Sequence, residues 1–171
     1  MHDNEAMKAL LAAGAEVDLP NVMGVTPLMA AAGVGVREPG FGANRSPDFT
    51  SKTIEKEVIA SLDILLAAGA NVNAEITDLA SRTARIARIN SMTDRHGQTA
   101  LHQAAGRGWP EVVSYLIAHG ANVGAKDGLG RTALVLATTP VQGRPVPNGD
   151  KIAEMLKVAA AGGSKTARAV N

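Results

Sequence analysis

The sequence predicts an all-α solenoid of stacked helix-turn-helix units joined by hairpin-like turns. Three observations carry this. Thr99-Ala100-Leu101-His102 recurs as Thr132-Ala133-Leu134-Val135 after 33 residues. Each copy opens an Ala-rich stretch with helical spacing, and Gly-Ala closes apolar stretches at Gly14-Ala15, Gly69-Ala70 and Gly120-Ala121. A fixed period of this length marks units that cannot bury an apolar face alone and do so by stacking.

The unit from Asp94 to Val123 is complete and shows why each element forms. Gly97 permits a tight turn, and the Thr99 hydroxyl can satisfy an orphan amide where the first helix starts. Ala104 and Ala105 leave room for close packing by the neighbouring unit. Pro110 suits the first turn of a second helix, Val112, Val113, Leu116 and Ile117 make its apolar face, and Gly120 ends it. Three partial copies surround this unit. Met7 to Asp18 supplies only a second helix. Asn21-Val22-Met23-Gly24-Val25-Thr26-Pro27-Leu28 opens the next copy, which closes at Leu65 to Asn73. Asp127-Gly128-Leu129-Gly130-Arg131-Thr132 opens the last, closing with Ile152 to Lys157.

These markers resemble the ankyrin repeat over roughly two-thirds of the chain. The resemblance implies an ankyrin-repeat solenoid of about four repeats that acts by binding another protein. A single domain over 1–171 is expected. It divides into a half repeat (5–18), a repeat with an inserted loop (21–74), an inserted segment (75–93), a complete repeat (94–126), a C-terminal capping repeat (127–162) and a tail (163–171). Thr26 and Thr99 lie 73 residues apart, so one period carries 40 extra residues. About 22 fall around Val36 to Lys52 and about 18 between Glu75 and Thr93. Pro140 to Gly149 is a shorter insertion. The second and fourth repeats hold Met29 and Val135 where the family has His, and the third and fourth hold Ala100 and Ala133 where it has Pro.

Composition fits this and excludes other classes. Hydrophobic residues make up 46%, with only two Phe, one Trp and one Tyr, so the core is built from Ala, Leu, Val and Ile. A formal net charge of +1 provides no global field for nucleic acid or an anionic membrane. No run of about 18 apolar residues points to membrane insertion, and no targeting segment is visible, which leaves the compartment open. Absence of cysteine removes disulfides, Cys-based zinc sites and thiol nucleophiles.

Chemical motifs do not assemble. Gly33-Val34-Gly35 and Gly128-Leu129-Gly130 are too short for a dinucleotide fingerprint, and Gly163-Ser164-Lys165-Thr166 has the residues of a phosphate loop in the wrong order. His2, His96, His102 and His119 lack zinc spacing. Asn44-Arg45-Ser46 is a sequon of a length that arises by chance. No catalytic set, cofactor or metal site is expected.

Arg82, Arg85 and Arg88 recur every third residue beside Leu79, Thr83 and Ile86, the pattern of an amphipathic helix. Two readings stand. The arginines form a solvated basic face, or with Arg95 they recognise an anion or an acidic partner, which would make the chain an anion- or small-ligand-binding accessory domain. The lack of aromatics for base stacking argues against RNA or DNA.

The resemblance implies a concave binding face made of Met23 and Val25 in the second repeat, Arg95, His96, Gln98, Arg107 and His119 in the third, and Leu129 and Arg131 in the fourth. A second surface is the edge where Phe41, Phe49, Trp109 and the Pro140 to Gly149 loop are expected to gather, as a satellite core or as an aromatic anchor such as Trp109 for the partner. The 5–13 helix is expected to pack Met7, Leu10 and Leu11 on the second repeat. Its uncapped side calls for a longer parent chain or a partner subunit. At the other end, Ile152, Met155, Leu156 and Ala159 turn inward and Lys151, Glu154 and Lys157 outward, as in a cap.

Overall fold

The computed structural model describes residues 3–21, 23–33, 51–77, 96–141 and 143–167. Among them are seven helices and no strand: α1 Asn4–Ala12, α2 Pro27–Ala31, α3 Ser51–Ala67, α4 Ala100–Arg107, α5 Pro110–Ala118, α6 Ala133–Thr138 and α7 Gly149–Ala167. Helices α2 and α3, α4 and α5, and α6 and α7 pack as pairs. The pairs stack so that α4 lies between α2 and α6, while α5 lies between α3 and α7. Helix α1 rests on α3. The result is an inner layer (α2, α4, α6) and an outer layer (α1, α3, α5, α7), the all-α solenoid that the period predicts.

Local chemistry sets the ends of these helices. Thr26 caps α2 by accepting the Met29 N–H at 3.4 Å, with Pro27 in the first turn. Thr99 and His102 close a reciprocal capping box on α4. The outer helices α1, α3 and α5 end in the same way. Gly14, Gly69 and Gly120 adopt φ of +90°, +93° and +85°, and the next alanine donates back to Leu10, Leu65 and Leu116, each at 3.0 Å. Glycine is needed there because the left-handed backbone lets one turn satisfy two helix carbonyls.

Those turns also tie one pair to the next. The Asp18 carboxylate accepts the Asn71 N–H at 2.9 Å. Asn73 accepts the Asn122 N–H at 2.7 Å and donates to the Gly120 carbonyl at 3.1 Å. The corresponding third-repeat residue is Gly124, with no side chain to continue the ladder.

Between the layers, Leu28, Leu62, Leu65, Leu101, Leu116, Ile152 and Leu156 are buried in one continuous core. Each such side chain contributes roughly 1.5–3 kcal/mol. Ala104 and Ala105 are fully buried, which lets α4 approach its neighbours.

Two expectations need correction. Leu10 is 62% exposed; α1 is held by Met7 and Leu11 on the core and by Ser61 Oγ donating to Asn4 Oδ1 at 2.8 Å. A lone outer helix has one neighbour, and Leu10 lies on the side away from it. The last helix runs to Ala167, so residues 163–167 are helical rather than tail. The strong helix formers Ala159, Ala160 and Ala161 carry it through Gly162 and Gly163.

Candidate partner-binding surface

Hairpin fingers project between the pairs, and two of them are each built on one acceptor side chain. Asn21 Oδ1 accepts the N–H groups of Met23 and Val25 at 2.9 and 3.1 Å. Asp127 Oδ1 accepts those of Leu129 and Arg131 at 3.0 and 2.8 Å. Gly24, Gly97 and Gly130 turn the three fingers with φ of +71°, +73° and +75°. Backbone bonds close the third finger, from Ile76 N–H to the Gln98 carbonyl and from Gly97 N–H to that of Ile76, and Gly128 N–H to the His96 carbonyl joins it to the fourth.

Beneath the fingers runs a buried polar chain. Gln103 donates to Gln98, and Gln98 donates to Asp127 Oδ2 at 3.2 Å. Asp127 also holds the Arg131 guanidinium through Nε and Nη2, each at 2.8 Å. Burial alone would raise the Asp127 carboxyl. The N–H of Arg131, the Gln98 amide, the Arg131 guanidinium and the Leu129 N–H outweigh it and hold it below its ordinary range. Behind this chain His102 accepts the Thr99 N–H on Nδ1 at 3.2 Å and reaches the Arg131 carbonyl from Nε2 at 3.1 Å. Burial pushes His102 below the usual histidine range, against the opposing pull of the Arg131 carbonyl and Asp127.

This geometry sorts the residues expected to meet a partner. His96 and Leu129 are exposed on the fingers, and Met23 is half-buried against Val25, Met29 and Ile76. Val25 and Gln98, expected on the accessible face, are each only 4% exposed. Val25 is drawn into the small core under the second finger, and the Gln98 amide is consumed by Asp127 and Gln103. Arg131 is anchored rather than projecting. Arg107 donates to the Gly33 carbonyl at 2.7 Å and lies 5.1 Å over the Trp109 ring, so both join repeats internally. Trp109 is partly buried on the core. His119 ends α5 in the outer layer, apart from the fingers, with its ring 4.1 Å from that of Tyr115. Burial and the hydrogen bond to Asp63 at 3.0 Å push the Tyr115 phenol up to about 12.

The Pro140 to Gly149 loop reaches the Trp109 edge, where Asn148 donates to the Gly108 carbonyl at 3.0 Å. Phe41, Phe49, Arg82, Arg85, Arg88 and Arg95 lie outside the described residues.

Sequence reasoning missed Glu55. It is buried on α3, and its Oε2 accepts the Glu111 N–H at 2.7 Å, at the start of α5. The absence of a capping side chain at Trp109 was the available signal, but nothing in the sequence said which distant residue would fill the role.

Helix pairs stacked at a fixed period, fingers turned by glycine and Gly-Ala helix stops make up a known architecture, and a family model for ankyrin repeats in three copies matches residues 61–156. The chain is an ankyrin repeat protein. The match begins inside α3, so α1 and α2 precede it. No curated protein matches this ankyrin repeat protein. Ankyrin repeats are in general protein–protein interaction modules and typically non-catalytic. Among the described residues no helix is long and apolar enough to cross a membrane, and no group of three His, Asp or Glu could hold a metal.

Proposed function

We propose that this ankyrin repeat protein is a non-catalytic docking module, a scaffold or accessory subunit, that binds another protein on the finger side of its third and fourth repeats. One observation carries the reading. Leu129 at the fourth finger and Val135 on α6 are 59% and 41% exposed, whereas the polar groups around them, Gln98, Asp127 and Arg131, are bound to one another. A partner meets apolar contact first at these positions, with His96 beside them.

Affinity capture from the native source with the parent chain and with a Leu129→Asp, Val135→Asp variant tests this. Both substitutions are at exposed positions and should change unfolding free energy by no more than about 0.5 kcal/mol. A stoichiometric protein that is retained by the parent and lost by the variant is expected. Equal retention by both, or no retained protein, overturns the proposal.

A further inference from the structure

His102 is the one buried imidazole among the described residues, and it stands where the third repeat meets the fourth. Its Nδ1 accepts a backbone N–H, so the ring proton sits on Nε2 and points at the Arg131 carbonyl. Only the neutral Nε2–H tautomer satisfies both partners. A second proton would go on Nδ1, where it breaks the bond from the Thr99 N–H and must turn to the Thr99 hydroxyl at 3.0 Å. The equivalent positions in the second and fourth repeats are Met29 and Val135, which cannot titrate.

We propose that His102 is an acid-operated latch whose protonation releases the fourth repeat, α6 with α7, from the rest of the stack. The charged groups facing it are Asp127 and Arg131 from the fourth finger and Glu75 from the segment after α3; α6 contributes no ionisable side chain. Asp127 and Glu75 favour the imidazolium, but burial opposes it more strongly, so the docked state holds the neutral ring. The detached repeat leaves His102 in water at its ordinary value. Between that value and the lower docked one, only the open state binds the proton, and docking therefore weakens as pH falls. Asp127 is held below its ordinary range and keeps its charge through this window.

The neighbouring junction responds in the opposite sense. Burial raises Glu55 more than its bonds to the Glu111 and Val112 N–H groups lower it. Its folded state therefore gains the proton first, and acid favours the α3–α5 contact. Because nearest-neighbour contacts hold a solenoid together, the fourth repeat can open from the third without the others. Opening uncovers the apolar surfaces of α4 and α5 that Ile152 and Leu156 cover.

Amide hydrogen exchange on the full chain, corrected for intrinsic rates, tests the latch. Protection of α6 and α7 should fall about tenfold between about pH 7.5 and about pH 5, while α3 holds its protection. Gln at position 102 reproduces one acceptor and one donor without titrating, so His102→Gln should abolish the fall. The same fall in His102→Gln, or no fall in the parent, overturns the proposal. Imidazole ¹⁵N shifts of the parent chain give a second reading that needs no variant. An Nε2–H tautomer at neutral pH that titrates together with the loss of α6–α7 protection supports the latch; an Nδ1–H tautomer refutes it.

Discussion

The Glu55 carboxylate accepts the backbone N–H of Glu111 at 2.7 Å, so a buried acid on one repeat caps a helix of the next. Its charged form is the costly one, because burial raises the carboxyl. As pH rises through the unfolded value toward the raised folded value, the chain loses stability that the protonated acid had retained. Glu55→Gln should therefore stabilise the protein relative to the parent above that window and lose the advantage below it. Glu55→Ala should cost about 1–3 kcal/mol by leaving the helix amides unpaired. Urea midpoints across the pH range check both, and a pH-independent difference between parent and Gln variant would contradict the assignment.

Asp127 carries the opposite dependence. Its folded value is depressed, so its contribution is present above the unfolded value and disappears as pH falls through the folded one. Asp127→Asn keeps the finger acceptor that Asn21 already provides in the second repeat but loses the ionic hold on Arg131. A cost of about 1.5–3 kcal/mol at neutral pH, shrinking in acid, is expected from chemical denaturation.

Asn73→Ala removes two bonds to the next repeat, to the Asn122 N–H and the Gly120 carbonyl. Asn71→Ala removes one local bond, to the Asn73 N–H. The first should cost about 1 kcal/mol and the second less, because these sites are exposed and water replaces the lost partners. Equal losses in unfolding experiments would show that the cross-repeat bonds contribute nothing.

Gly108 and Gly120 separate backbone strain from collision. Both have positive φ, +74° and +85°. A Cβ on Gly120 meets open space, whereas one on Gly108 collides with the Pro147 carbonyl oxygen. Gly120→Ala should cost about 1 kcal/mol, while Gly108→Ala should cost more than about 2 kcal/mol because the Pro140 to Gly149 loop must also move. Melting temperatures in that order are expected.

The sequence by itself determined the helix pairs, their fixed period, the glycine stops after α1, α3 and α5 and the glycine turns of the fingers. Each depends on short-range rules: which residues cap, which tolerate a left-handed backbone and which repeat with helical spacing. The apolar inward face of α7 at Ile152 and Leu156 was legible for the same reason. Tertiary structure decided how accessible each surface position became and which distant groups were joined. Val25 and Gln98 occupy finger positions that a repeat pattern marks as outward, yet a neighbouring Ile76 buries one and Asp127 with Gln103 engages the other. Leu10 has helical spacing toward a core, yet α1 meets only α3 and leaves it in solvent. Glu55 reads as an ordinary helix-surface acid until α5 brings its unpaired amides alongside. Burial and hydrogen-bond partners are properties of two segments together, and their spacing along the chain does not encode which two will meet.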